Sequence, residues 1–526
     1  MLAGSVCGAT QYPMTAVRTL TSFRKLLYAV LLFPLTTATA LAGEAAGGID
    51  QAIDNFFAPI SKYSNEVVFF KIPGTELPFV LALLVGSALF LTCRFGFINV
   101  RGLKLALRTV KGRYSSKDDP GEITHFQALS AALSATVGLG NIAGVAIAIS
   151  VGGPGATFWM ILCGVFGMTT KFCECTLGTK YRTIDENGKV YGGPMYYLSK
   201  GFAEKGWIKL GKVLAVVFSV ACVLASFGGG NMFQGNQACQ QLVEITGGSS
   251  SFFADKGWLF GVILAVAVGF VILGGIVGIA KVTSKLVPFM CGIYVICALY
   301  ILATHFSHIP GAFGQIFEGA FSMEAGLGAL IGVMIQGVKR AAFSNEAGFG
   351  SAPIAHSAVK TSKPASEGYV ALLEPFMDTV VVCTMTALVI VITGEYVPEE
   401  AQGDWGKAIG VTSQAFGSVI SWFPYVLFTA VLLFAFSTMI SWSYYGQQAW
   451  AYLFGRSKKM EVTYKLIFCA MVVLGASAKL GNVMNFSDAG LFAMCFPNFI
   501  GIYFLLPKVT EELKSFHKHV DDIDGK

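Results

Sequence analysis

Val137-Gly138-Leu139-Gly140-Asn141 interrupts an uncharged apolar run, Ala128 to Val151, that is long enough to cross a bilayer. Two glycines one residue apart are poor material for a spanning helix, because each costs about 1 kcal/mol relative to alanine in a helix interior. Backbone released in lipid has no water to bond, so such a break is tolerated only where protein buries it or a cavity lies beside it. The freed N–H groups that open the outer half suit an anion, and the freed carbonyls that close the inner half suit a cation. One interruption therefore offers a carboxylate site and a cation site side by side. That pairing implies movement of a solute together with an ion.

The composition agrees. Of 526 residues, 54% are hydrophobic and 13% charged, against the ~25% charged content of soluble domains. A mean hydropathy of +0.64 implies an all-α polytopic membrane protein. The net charge of +6 lies in short segments between apolar runs, as in cytoplasmic loops, so no nucleic-acid partner is expected. The twelve cysteines form no Cys-x-x-Cys pair and read as free thiols, most of them buried in apolar runs. The six histidines fall at span ends, in loops or in the tail, and no Gly-x-Ser-x-Gly or His-Glu-x-x-His string occurs. Hydrolytic or metal chemistry thus has no constellation to run on, no cofactor is expected, and no repeated filter sequence suggests a channel.

Arg18, Arg24 and Lys25, the apolar stretch Leu26 to Leu35 and Ala40-Leu41-Ala42 have the order of a secretory leader, so residues 1–42 are expected to be removed. Residues 43–75 form an external, interfacial segment in which Ile49 to Tyr63 is amphipathic. The transmembrane domain covers 76–507, and 508–526 is a cytoplasmic tail. A first span, Leu77 to Cys93, precedes seven basic residues from Arg94 to Lys117 with no acid among them, the strongest cytoplasmic signal in the chain. The broken span follows, then one to Thr170 ending in a basic loop that begins at Lys171. The others are Val213 to Leu242, Trp258 to Ala280, Leu286 to Thr304, Ala325 to Val338, Phe376 to Gly394, Trp422 to Ala449, Leu466 to Ala478 and Ala489 to Leu506. Eleven spans put the mature N-terminus outside and the C-terminus inside.

Without the first span, five lie on each side of His305 to Phe321, and an odd number per half inverts the second half relative to the first. Its opening helix is also glycine-rich (Gly326, Gly328, Gly332, Gly337), and paired interrupted helices point to a midplane site. By the positive-inside rule, Lys339 and Arg340 mark the cytoplasmic face, which makes Ser344-Asn345-Glu346 an inner gate. Glu374 and Asp378 are either a functional intramembrane pair, Asp378 being a proton site, or interfacial partners of Lys339 or Arg340. The second alternative is favoured.

Val137 to Ala146 followed by Gly152-Gly153-Pro154-Gly155-Ala156 resembles the first signature of the alanine or glycine:cation symporters. Arg340 to Pro353 resembles the second, and Asp378 to Thr386 the third. The likeness runs from about Phe69 to Pro507. It implies a LeuT-type 5+5 inverted repeat with one extra N-terminal helix, and sodium- or proton-driven import of alanine or glycine across a bacterial inner membrane by a monomer in the lipid bilayer.

Amides of Leu139, Gly140 and Asn141, with the positive end of their half-helix, are expected to hold the substrate carboxylate. The shared Val-Gly-Leu-Gly-Asn string implies that the carbonyls of Ser134 and Val137 hold sodium and that of Thr136 the substrate amine. Sodium takes oxygen ligands, so Ser437 and Thr438, placed where LeuT-type folds carry hydroxyl ligands, would complete the shell. Such residues also bond carbonyls of their own helix. Gln234 is the expected amine contact among the amides of the fourth span, since a buried amide without partners is costly. Gln336 is a weaker polar candidate, and Met439 and Trp442 would wall the pocket.

Overall fold

The computed structural model describes residues 48–116, 118–322, 327–396 and 408–525. The expected leader lies outside them, as does Gly326 of the glycine-rich helix that opens the second half. The sole sheet among the described residues is a two-stranded hairpin, Thr183–Ile184 antiparallel to Val190–Tyr191. The other regular elements are helices.

The main helices are α1 (Gly48–Val68), α2 (Phe79–Arg94), α3 (His125–Thr136), α4 (Val145–Gly152), α5 (Ala156–Lys180), α6 (Ile208–Phe227) and α7 (Phe233–Ile245). They continue with α8 (Gly257–Ile272), α9 (Gly275–Thr304), α10 (Ile309–Phe321), α11 (Leu327–Asn345), α12 (Ala352–His356), α13 (Pro364–Ala371) and α14 (Thr384–Thr393). The last four are α15 (Phe423–Phe454), α16 (Lys458–Ser477), α17 (Leu480–Ala493) and α18 (Cys495–Asp524). Seven described segments are long and apolar enough to cross a membrane, or eight if the α3–α4 pair is one bent span. Helices α2 and α8 are shorter and apolar.

The first break is where the glycines put it. Helix α3 ends as Val137 turns extended, a π turn runs from Gly140 to Gly144, and α4 leaves at 52° to α3. The second is elsewhere. Helix α11 runs unbroken through Gly328, Gly332 and Gly337 and stops at Asn345. The chain then opens from Glu346 to Ser351, with positive φ at Glu346 (57°), Gly348 (97°) and Gly350 (76°), before α12. Gly337 is a packing notch, since a Cβ there would stand 2.3 Å from the Ala156 carbonyl oxygen of α5. Gly337→Ala is therefore expected to lower stability by about 1–3 kcal/mol through overpacking. An unchanged melting temperature of the purified protein would contradict that close approach.

The two broken helices lie antiparallel: α3 packs on α12, and α4 packs on α11. This is the inversion expected from counting spans.

Several boundaries move. The turn between α8 and α9 falls near Gly274, which leaves Lys281 and Lys285 inside α9. Helix α5 continues past Thr170 to Lys180, with Lys171 fully buried. Helix α1 is amphipathic, but its Ile53 and Phe57 are buried, with Phe57 edge-on to Phe486 of α17. Its Ser61 hydroxyl donates to the Asn482 carbonyl. The tail is the end of α18, whose Asp524 pairs with Arg108 and Arg113 of the basic segment.

Lys339 and Arg340 are not loop residues. Arg340 is buried and donates to Asp488 of α17 at 2.5 Å, while Lys339 meets the same carboxylate at 2.9 Å. Basic residues neutralised inside a bundle carry no orientation signal, so the inference they supported for Ser344 to Glu346 fails with them.

Candidate functional site

The two breaks meet. Each exposes backbone that must be satisfied in a buried setting, and the sequence supplies a side chain for each. At the first, the Gly138 N–H donates to Asn141 Oδ1 (2.8 Å), and Asn141 Nδ2 donates to Asp378 Oδ1 (2.6 Å) and to the Asp378 carbonyl (3.0 Å). At the second, Glu174 of α5 accepts from the N–H groups of Gly348 and Gly350, both at 3.1 Å, and from Asn498 at 2.6 Å. Ser344, the last serine of α11, donates to Asp378 Oδ1 at 3.2 Å. Asp378 thus ties the breaks together.

A small cavity lies beside them, lined by Thr136, Gly138, Gly140, Gln234, Glu346 and Trp442 among others. Gln234 Nε2 donates to the Gly229 carbonyl at 2.9 Å, while its Oε1 is buried without a partner. Trp442 Nε1 donates to Glu346 Oε1 at 2.9 Å, and the other Glu346 oxygen takes the Ser351 hydroxyl. Glu346 is therefore a buried carboxylate in the cavity wall with donors on both oxygens.

Beside the cavity, α3 and α15 cross through oxygens. Thr438 Oγ1 donates to the Ser134 carbonyl (3.0 Å), Ser134 Oγ to the Ser437 carbonyl (2.7 Å), and Ser441 Oγ to Ser134 Oγ (3.0 Å). Ser134, Ser437 and Thr438 are thereby brought together as expected, one residue pair from Val137. The hydroxyl of Ser437 turns away, donating to the Phe434 carbonyl of its own helix (3.0 Å) and facing Met290 Sδ at 3.5 Å.

Thr136, Gly140, Gln234 and Trp442 all reach the cavity wall. Leu139 and Asn141 are buried behind it, Asn141 as the brace described. Met439 packs 3.7 Å from the place of a Cβ on Gly235, and Gln336 lies against Gly152 at the far end of α4. Neither is among the lining residues. A Cβ on Gly140 would sit 3.2 Å from Ser344, not in open space, whereas one on Gly138 would come 2.6 Å from Thr438 Oγ1 and 3.5 Å from Gln234 Oε1.

Two readings of the sequence need correction. Ser344 and Glu346 belong to the site itself, because the second break lies there. Glu374 and Asp378 do not pair with Lys339 or Arg340: Asp378 braces the breaks, and Glu374 bonds Lys171 at 3.0 Å in a buried network. Glu346 and Ser441 went unrecognised as site residues. A signal existed for the first, since Gly348-Phe349-Gly350 repeats the Gly-x-Gly spacing of Gly138-Leu139-Gly140.

The model of the sodium:alanine symporter family matches residues 65–524. "Sodium/alanine symporter AgcS" of Methanococcus maripaludis is 42% identical over 442 residues, covering 84% of this chain and 94% of AgcS. "Probable sodium/glutamine symporter GlnT" of Bacillus subtilis is 33% identical over 439 residues, 83% of this chain and 87% of GlnT. Among solved structures, MhsT in complex with L-phenylalanine superposes with a TM-score of 0.51 at 17% identity, covering 74% of this chain and 99% of MhsT, which shows the LeuT-type fold alone. With both breaks in place and most of its length matched, this chain belongs to the sodium:alanine symporter family, a family of cation-coupled amino-acid symporters and not of enzymes.

Proposed function

We propose that this carrier imports alanine or glycine with sodium across a bacterial inner membrane, with the His125 end of the bundle in the cytoplasm and the mature N-terminus outside. The observation that carries the substrate reading is the unpartnered Oε1 of Gln234. A buried acceptor left unpaired costs about 1–3 kcal/mol, and an α-ammonium group would satisfy it. The amides of Leu139 and Gly140 open a helical turn, where N–H groups lack intrahelical partners, and they take the carboxylate. Trp442 and Glu346 limit the side chain to hydrogen or methyl. A glutamine-sized side chain would need a wider wall than a Trp442 indole held by Glu346.

Sodium is held by the Ser134 and Val137 carbonyls with Thr438 Oγ1. These neutral oxygens carry no proton near neutral pH and suit a dehydrated monovalent cation. Because Ser437 Oγ already bonds its own helix, the two hydroxyls are unequal. Thr438→Val is expected to move the sodium dependence of alanine uptake to at least tenfold higher concentration, about the 1.4 kcal/mol of one hydrogen-bonding group. Ser437→Ala should shift it by less than half as much on a logarithmic scale. Equal shifts would contradict this assignment.

One observation favours a second reading. Asp378 is a buried carboxylate with donors from Asn141, Thr379 and Ser344, and coupling to protons would run through it. Uptake driven by a pH gradient without sodium, and lost in Asp378→Asn, is the result that reading requires. Counterflow of labelled alanine in proteoliposomes tests carriage itself.

A further inference from the structure

Below the cavity, at the end where α3 begins, buried ionisable groups form a continuous chain. Ser115 Oγ lies 2.6 Å from His125 Nε2, and His125 Nδ1 donates to one oxygen of Glu367. The other Glu367 oxygen is 2.6 Å from His356 Nδ1, His356 Nε2 is 2.6 Å from Glu374 Oε1, and Glu374 Oε2 takes Lys171 at 3.0 Å. His125, Lys171, His356, Glu367 and Glu374 are at most 3% exposed. Five elements are joined: α3 through His125, α12 through His356, α13 through Glu367, the following Leu373–Pro375 turn through Glu374, and α5 through Lys171.

The proton count at His356 is fixed by its neighbours. Carboxylates only accept hydrogen bonds, and a neutral imidazole has one N–H. Both of its nitrogens face carboxylate oxygens at 2.6 Å, so a neutral ring would set a nitrogen lone pair against an oxygen. An imidazolium donates its Nδ1–H to Glu367 and sets its charged Nε2 edge against Glu374 as an ion pair, so that its charge and that of Lys171 face Glu367 and Glu374. Cys175 of α5 also lies within 4.8 Å of His356 and Glu374. A metal does not fit between them, because two ligand atoms at ~2.0 Å from a tetrahedral ion stand roughly 3.3 Å apart, wider than the 2.6 Å contact. The other charged or titratable groups near this cluster are the buried carboxylates Glu174 of α5 and Glu346, both near Lys171 and Glu374, Arg182, which donates to the Ser357 carbonyl at 2.8 Å, and Tyr445 of α15. Arg182 stays cationic throughout.

We propose that His356 is a positioning residue for transport: as an imidazolium bridging Glu367 and Glu374, it ties the His125 ends of both broken helices to α5 and α13, and opening of that end is coupled to loss of its proton. The sign follows directly. The bridge is complete when His356 is protonated and fails as pH rises, so alkaline solution at this end favours opening. The carboxylates remain charged, and the lost donor leaves one of them unpaired. This coupling is separate from the ion that drives uptake.

Cys175 is a native reporter, buried beside His356, and Cys93 is an exposed reference. The purified full-length protein in micelles is treated briefly with a water-soluble maleimide in buffers from mildly acidic to strongly alkaline, and the labelling ratio Cys175:Cys93 is read by peptide mass mapping. The ratio is expected to stay low in acidic and neutral buffer and to rise about tenfold in alkaline buffer, the scale of one charge-assisted bond. His356→Gln should give a high ratio at every pH, and His356→Lys, a fixed cation with several donors, a low one. A flat wild-type ratio, or a pH step retained in His356→Gln, would overturn the proposal. Should His356→Gln not fold, the wild-type profile and His356→Lys still decide it. The labelling needs neither alanine nor sodium, so its outcome is independent of the proposed substrate and coupling ion.

Discussion

Gly138→Ala is expected to reduce sodium-driven alanine uptake to background while the protein remains folded. The added methyl would stand 2.6 Å from Thr438 Oγ1 and 3.5 Å from Gln234 Oε1, so it displaces the proposed cation ligand and crowds the proposed amine contact in one step. Gly138 does not have positive φ, so alanine meets no backbone strain there and the effect is confined to the cavity. Gly140→Ala presses instead on Ser344 at 3.2 Å, where a shift of a few tenths of an ångström relieves it. A partial loss is expected. Uptake in proteoliposomes and a monodisperse elution profile check both. Normal transport by Gly138→Ala would place the site elsewhere.

The largest effect on stability is expected at Asp488. It pairs with Arg340 and Lys339 one helical turn beyond the cavity residues Phe343 and Leu491. Asp488→Leu leaves the buried Arg340 guanidinium uncompensated, and breaking a buried pair in this way costs about 3–5 kcal/mol. Adding Arg340→Met removes the more deeply buried of the two stranded charges, Lys339 being the other, and should recover part of the loss, because well-packed apolar replacements of buried pairs are often neutral. Thermal unfolding of the single and double variants measures this. A double variant no more stable than Asp488→Leu would mean that the pair is not the cause.

The first break was legible because two glycines in an apolar run conflict with a spanning helix whatever surrounds them. Its geometry followed, including the crossing of Ser134 with Ser437 and Thr438. The second break does not fall at Gly328, Gly332 or Gly337, because small residues serve close packing as well as breaks, and Gly337 against Ala156 is the former. Gly348-Phe349-Gly350 carried the spacing that mattered. The positive-inside rule gave no guide at Lys339 and Arg340, since it presumes that basic residues are solvated. Their partner Asp488 lies 148 residues away from Arg340 in sequence, and only the fold brings them together. The same distance effect hid the pairing of Lys171 with Glu374 and misplaced Asp378. Hydroxyl direction, as at Ser437, depends on which carbonyl is nearer and has no sequence signature.

The most direct test of sodium-coupled alanine import is uptake of labelled alanine into proteoliposomes under an imposed sodium gradient or an imposed pH gradient, each alone. The sodium gradient alone should drive accumulation in the wild type, with Thr438→Val requiring much more sodium and Asp378→Asn showing no dependence on a pH gradient. Accumulation that needs only the pH gradient, and that survives Thr438→Val, would contradict sodium coupling at the crossing of Ser134 and Thr438.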